Sequence, residues 1–231
     1  MSTVLPSVTD KPRYVAAMFG RIAPRYDFMN TLMTGGQDSR WRRIVAKTLV
    51  LGDQAQVLDV GTGTGKLAEA VRRAAPHAQV TGVDFTLPMM RQARHHVRFA
   101  GADALKLPFA DDQFDAVVSG FVMRNLADVP AGLAEQARVL RPGGQLVVME
   151  TTPGPPNLLR PVFRLYFRRL VPLLGQLIAG DESAYTYLPE STLAFLEPDR
   201  LAGVLRQTGL VDVRVRRLAF GSVAVTLARK P

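Results

Sequence analysis

The chain has 231 residues and a mass of 25.3 kDa, which fits a single α/β domain rather than a multidomain assembly. With 47% hydrophobic and 21% charged residues and no cysteine, it is an ordinary globular protein; disorder, a disulfide scaffold, thiolate metal sites and a cysteine nucleophile are excluded. The net charge of +9 is the one compositional outlier.

In chain order, residues 1–50 read as an N-terminal helical lid segment and residues 51–231 as the main domain. Met1 to Lys11 holds no apolar run, so no secretory leader is expected. No stretch reaches the roughly 18 apolar residues of a spanning helix. From residue 57 short apolar runs alternate with helix-like stretches, the pattern of βαβ units and a parallel sheet. The first run is Val57 to Val60, followed by a glycine-rich turn over 61–65 and a helix from Lys66 to Ala75. The second is Val80 to Asp84, with a helix from Pro88 to His95, and a short third run lies around Val97 to Ala100. Phe114 to Ser119 is the fourth, a helix spans Pro130 to Leu140, and Gln145 to Glu150 is the fifth. Arg141-Pro142-Gly143-Gly144 separates that helix from that strand, because proline and glycine do not extend a helix. Residues 151–191 are proline-punctuated and basic and form an insertion over the substrate region. A helix from Asp199 to Thr208 follows, then Val211 to Leu218 and Val223 to Ala228, a closing hairpin that ends the sheet antiparallel. The expected architecture is α/β and Rossmann-like: a seven-stranded, mostly parallel sheet with helices on both faces, a terminal antiparallel hairpin, an N-terminal lid and an insertion after strand five.

The strongest motif is Val57-Leu58-Asp59-Val60-Gly61-Thr62-Gly63-Thr64-Gly65. A dinucleotide fingerprint would need its third glycine at position 66, where the chain has Lys66. A carboxylate beside the turn repels a phosphate, whereas Asp59 suits the ammonium and sulfonium charges of S-adenosylmethionine. Gly61, Gly63 and Gly65 allow close backbone approach to such a ligand. Asp84 ends the second strand, where a carboxylate can accept from both hydroxyls of a ribose, or can simply cap the next helix. Asp103 follows the third strand and can accept from an adenine amino group while Ala104 leaves room for the ring; alone, it reads equally as a turn residue.

Together with LPFADDQFDAV (107–117) and RVLRPGGQLVVME (138–150), these motifs resemble the class I S-adenosylmethionine-dependent methyltransferases. Four further blocks narrow the likeness: MFGRIAPRYDFMNTLMTGGQDSRWRR (18–43), FVMRNLADVPAGL (121–133), AGDESAYTYLPES (179–191) and GSVAV (221–225). They resemble the menaquinone and ubiquinone biosynthesis C-methyltransferase family over residues 14 to 228. The resemblance implies cofactor contacts at Thr64, Asp84, Asp103, Ala104 and Gly120. Two positions depart from the family pattern directly at these contacts: Gly120 replaces a common serine and Asp103 a common asparagine. Thr226 stands where bacterial relatives often carry histidine, so no role of that histidine transfers.

The resemblance further implies ring C-methylation of a prenylated quinol, with demethylmenaquinol the favoured acceptor and a benzoquinol or another phenolic molecule the alternative. An electron-rich quinol carbon attacks a sulfonium methyl directly, so the protein must hold the partners in line, exclude water and help remove a phenolic proton. Arg124 is singled out to stabilise a phenolate or to orient a water; the competing reading is an arginine paired with an acid. Asn125 can orient a quinol oxygen or cap a turn. Tyr26 and Asp27 would come from the lid, Tyr26 to bond a phenolic oxygen and Asp27 as a candidate base, or both would serve lid packing. No metal ligand spacing is present, since His77, His95 and His96 are too few and ill placed.

Counted by segment, residues 1–50 carry 8 Lys and Arg against 3 Asp and Glu, residues 51–150 carry 10 against 11, and residues 151–231 carry 11 against 6. The basic excess therefore sits in the flanks. Within the insertion, Arg160, Arg164 and Arg168 recur at helical spacing opposite Phe163, Leu170, Val171 and Leu174, with Pro161 and Pro172 limiting a continuous helix. Such a segment would rest on an anionic membrane surface, or pack on the core with its arginines in water. A cytoplasmic protein, peripheral at the inner face of the membrane, is expected, with a homo-oligomer left open. Nucleic acid is disfavoured: Ser39 to Arg43 interleaves an aromatic with basic residues, but the chain has a single Trp and no Asn/Asp-Pro-Pro-aromatic amino-methylation motif. A nicotinamide oxidoreductase is disfavoured by the glycine spacing.

Overall fold

The computed structural model describes residues 5–93, 97–154, 160–174, 176 and 182–231. Two helices open the chain, α1 (Lys11–Met33) and α2 (Gln37–Thr48). Then come β1 (Gln56–Val60), α3 (Lys66–Ala74), β2 (Gln79–Asp84), α4 (Leu87–Met90), β3 (Arg98–Gly101), β4 (Phe114–Gly120), α5 (Val129–Val139) and β5 (Leu140–Thr151). After β5 lie α6 (Arg160–Leu165), α7 (Val171–Leu174), α8 (Glu182–Leu193), α9 (Pro198–Gln207), β6 (Val211–Leu218) and β7 (Val223–Arg229). The strands form one seven-stranded sheet in the order β3-β2-β1-β4-β5-β7-β6. All neighbours from β3 to β5 are parallel, and β7 runs antiparallel to both β5 and β6. The terminal hairpin is thus present, but its second strand inserts between β5 and its first.

Two sheet faces bury two cores. Leu58, Val60, Val117, Leu146 and Val148 pack against Leu133 of α5 and Leu201 and Leu205 of α9. Val57, Ala116, Val118, Val147 and Met149 pack against Trp41 and Val45 of α2 and Leu67 and Val71 of α3. Alternate strand residues point to opposite faces, which is why runs such as Val117-Val118 and Val147-Val148 are apolar throughout: both faces are covered. A third cluster ties Val15, Met18, Ile22 and Met29 of α1 to Val171, Ala184, Tyr185 and Tyr187. The N-terminal helix is thereby held over the carboxyl ends of the strands.

Three elements differ from expectation. Strand five starts at Leu140 rather than Gln145, because Arg141 to Gly144 continue as an irregular strand: the Gly143 N–H donates to the Lys230 carbonyl and the Lys230 N–H to the Gly144 carbonyl. The helix expected over 88–95 is a single turn, Leu87–Met90, with 94–96 outside the described residues. In the insertion, the backbone stays helical through Pro172: a π turn over Tyr166–Leu170 joins α6 to α7 just before it, where proline cannot donate to the preceding turn. The side chains of Arg160, Arg164 and Arg168, and residues 155–159, 175 and 177–181, lie outside the described residues, so the arginine stripe is not described.

Candidate active site

A cleft of about 930 Å³, its open mouth included, lies at the carboxyl ends of β1, β2 and β4. The strand order reverses between β1 and β4, and the crevice at such a point is where open parallel sheets bind ligands. Its wall brings together Gly61 and Gly63 of the turn, Asp84 at the end of β2, Asp103 and Ala104 after β3, Gly120 at the end of β4, Asn125, and Tyr26 of α1.

The turn is shaped by its glycines and braced from behind. Gly61 has φ 68°, and a Cβ there would lie 2.3 Å from Val122 Cγ2, so both backbone and space demand glycine. Asp59, 1% exposed, does not line the cleft. Its Oδ2 accepts from the Thr62 hydroxyl at 2.8 Å and the Ala68 N–H at 3.0 Å, tying the turn to the first turn of α3. Burial pushes its carboxyl up to about 7. Asp84 faces the cleft: Oδ2 accepts from the Gly63 N–H at 2.8 Å and Oδ1 from the Thr86 N–H at 2.7 Å. Burial raises its pKa and these hydrogen bonds oppose the rise. Asp103 is exposed and accepts from the Leu105 N–H at 2.9 Å. Thr64 and Gly65 stand outside the cleft wall; the Thr64 hydroxyl donates to Asp27 Oδ1 at 2.9 Å, and Lys66 Nζ lies 3.4 Å from the same oxygen. Asp27 therefore latches α1 to the turn.

A second groove of about 1380 Å³, its open mouth included, adjoins the cleft. Trp41, Phe121, Phe163, Ala219 and Phe220 line it, Trp41 buried and Phe220 exposed. Tyr26 and Phe121 line both the cleft and the groove and so partition them. Tyr26 packs edge-on against Phe19 with ring centroids 5.7 Å apart.

Arg124 lies in a single 3-10 turn, Met123–Asn125, and lines the groove but not the cleft. The acid pairing left open by the sequence is realised. Nη1 donates to Glu150 Oε1 at 2.5 Å and to the Phe121 carbonyl at 3.0 Å, with both ionic side chains nearly fully buried. Arg124 Nε has no hydrogen-bond partner among the described residues. Asn125 Nδ2 donates to the same Phe121 carbonyl at 3.0 Å, and its Oδ1 accepts from the Tyr187 hydroxyl at 3.2 Å. Burial pushes the Tyr187 phenol up to about 12, which keeps it a donor.

Three residues that matter here escaped the sequence reading. Phe121 adopts φ 62°, an unusual conformation for a bulky residue, and its carbonyl holds both Arg124 and Asn125. Nothing in sequence marks that conformation. Glu150 was visible only as an acid closing an apolar strand, and Tyr187 only as one tyrosine of a block. Of the departures, a Cβ at Gly120 would meet Leu67 and Met149 at 3.2 Å, a tight fit for the serine of relatives. Thr226 is buried in β7 and lines neither cavity.

The family model of the ubiE/COQ5 methyltransferase family matches residues 7–230. The chain belongs to that family. It is 45% identical to the ubiquinone/menaquinone biosynthesis C-methyltransferase UbiE of Desulfotalea psychrophila, covering 94% of this chain and 91% of that protein. It is also 45% identical to the demethylmenaquinone methyltransferase of Deinococcus radiodurans, over 96% of this chain and 94% of the relative. Among solved structures, a SAM-dependent methyltransferase from Thermotoga maritima superposes with a TM-score of 0.70 at 18% identity, covering 93% and 99% of the two chains. That likeness carries the fold, and the sequence relatives carry the family.

Proposed function

We propose that this methyltransferase uses S-adenosylmethionine to methylate a ring carbon of demethylmenaquinol, giving menaquinol. The observation that carries the reading is the shared wall: Tyr26 and Phe121 separate a glycine-rich cleft edged by carboxylates from a groove in which aromatic Trp41, Phe163 and Phe220 stand beside polar Asn30, Gln37 and Arg124, a lining suited to an aromatic ring that bears oxygens. The cleft fits the cofactor, since Gly61 excludes any side chain and Asp84 and Asp103 offer acceptors at its edge. Asp84 would take the ribose hydroxyls, and Asp103 with Ala104 the adenine. When bound, S-adenosylmethionine supplies an electrophilic sulfonium methyl group.

The chain's own residues do the remainder. Arg124, oriented by Glu150, lines the groove and turns a guanidinium N–H towards the acceptor's oxygen, which lowers the cost of a phenolate there. Ionising that oxygen raises the electron density of the ring carbon that attacks. Tyr26, at the partition, donates to a quinol oxygen, and Asn125, held by Tyr187 and Phe121, fixes the turn that carries Arg124. The phenolic proton leaves to solvent water beside Arg124; once the ring carbon carries the methyl group it loses its own hydrogen as a proton to water and the oxygen regains one, which restores the aromatic quinol and leaves S-adenosylhomocysteine as the second product. Asp27 serves the lid through Thr64, which orders α1 over both cavities.

The quinol's source is a membrane, and the described residues of α6, the π turn and α7 expose Leu165, Leu170 and Leu173 beside exposed Arg169, a surface suited to an anionic bilayer. No described helix is long and apolar enough to cross a membrane. Co-sedimentation with anionic and with neutral liposomes tests this contact, with binding expected only to the anionic ones. The catalytic reading is tested by incubating the enzyme with labelled S-adenosylmethionine and reduced demethylmenaquinone. Label in the quinol is expected; S-adenosylhomocysteine binding without transfer would overturn the acceptor.

A further inference from the structure

The turn between β6 and β7 is strained and braced in a way that the hairpin itself does not need. Ala219 has φ 47°, Phe220 φ 56° and Gly221 φ 96°, three consecutive residues in the left-handed region, two of them with side chains that disfavour it. A glycine or asparagine would hold the same turn without that cost. The conformation is fixed from several sides. The Ser222 N–H and hydroxyl donate to the Ala219 carbonyl at 3.1 and 2.8 Å. The hydroxyl of buried Thr152 donates to the Gly221 carbonyl at 2.5 Å, and its N–H to the Ser222 carbonyl at 3.0 Å. So braced, the turn holds the Phe220 ring 82% exposed, the most exposed large hydrophobic side chain among the described residues. That ring is on the wall of the groove that shares Tyr26 and Phe121 with the cleft.

We propose that Phe220 is a specificity residue for the acceptor's tail: its ring covers the isoprenoid chain where the chain leaves the groove. This inference rests on the quinol methyltransferase reading. An acceptor ring lodged against Tyr26 directs its tail along the groove towards the rim, and the tail there would otherwise lie in water. Strain kept at one position, with an apolar ring left in solvent, is accounted for if the ring is covered during turnover.

The test compares wild type, Phe220→Ala, Phe220→Leu and Phe220→Gly on demethylmenaquinols with one isoprene unit and with several, in the same detergent. Phe220→Ala is expected to raise KM for the long-tailed acceptor on the order of fivefold, with kcat and the short-tailed acceptor little changed. Phe220→Leu should recover most of the loss. Phe220→Gly, freed of the left-handed strain, should show the same selectivity change with a melting temperature no lower than wild type. Variants that treat both acceptors as wild type does, or lose both equally, would overturn the tail contact alone. A wild type that methylates neither acceptor would overturn the quinol reading.

Discussion

Asp27 of α1 accepts a hydrogen bond from Thr64 in the glycine-rich turn, so the helix that covers the cleft is fastened to the loop that shapes it. A hydrogen bond to a charged group is worth about 1.5–3 kcal/mol when buried, and solvent screening at this part-exposed pair reduces it to about 1 kcal/mol. Asp27→Ala should weaken S-adenosylhomocysteine binding by up to about tenfold while leaving the melting temperature near wild type. Asp27→Asn, which keeps the acceptor, should lie close to wild type. Titration calorimetry on the three proteins checks the order.

The buried Arg124–Glu150 pair makes a stability prediction separable from catalysis. Arg124→Ala strands a buried carboxylate, and breaking such a pair costs about 3–5 kcal/mol. The double variant Arg124→Met with Glu150→Gln removes both charges and should regain much of that stability in urea denaturation. It should still fail to transfer methyl groups while binding S-adenosylhomocysteine. Activity in the double variant would remove Arg124 from the mechanism.

Gly61→Ala places a Cβ within 2.3 Å of Val122 at a left-handed position. The backbone strain alone is about 1–3 kcal/mol. Cofactor binding should be lost. Adding Val122→Ala should relieve the clash but not the strain, giving partial recovery by equilibrium denaturation.

Asp59 predicts a pH dependence of stability. Its folded pKa of about 7 lies above the ordinary value near 4, so between those pH values the folded state retains a proton that the unfolded state has released. Stability therefore falls as pH rises from about 4 to about 7, by an amount on the order of 2–4 kcal/mol, with the loss complete above 7. Asp59→Asn keeps an acceptor for Thr62 and Ala68 and removes the ionisation. Its urea midpoint should change less over that range, with a residual slope of the same sign from Asp84, whose pKa is also raised.

The sheet and the cleft at its strand ends were largely legible in the sequence because local signals carry them, although Asp59, Thr64 and Gly65 stand behind the cleft wall rather than on it. Apolar runs closing at Val60, Asp84 and Glu150 marked strand ends, and Gly61 to Gly65 marked the turn where the backbone must come close. What was not legible depends on distant pairing. The placement of β7 between β5 and β6 follows from which edge β5 leaves open, a fact of the assembled sheet rather than of residues 223–229. The left-handed Phe121 and Phe220 have no sequence mark, since neither is glycine or asparagine. The groove needed α1, α2 and the β6–β7 turn to meet, which no one segment encodes.

The most direct test is to locate the transferred methyl group. The enzyme, S-adenosylmethionine carrying a 13C-methyl and reduced demethylmenaquinone should yield menaquinol with the label on the ring carbon, by NMR of the extracted product, and a lower yield from a demethylated benzoquinol of equal tail length. Label on a quinol oxygen, or no label with either quinol under conditions where S-adenosylhomocysteine binds, would contradict the account.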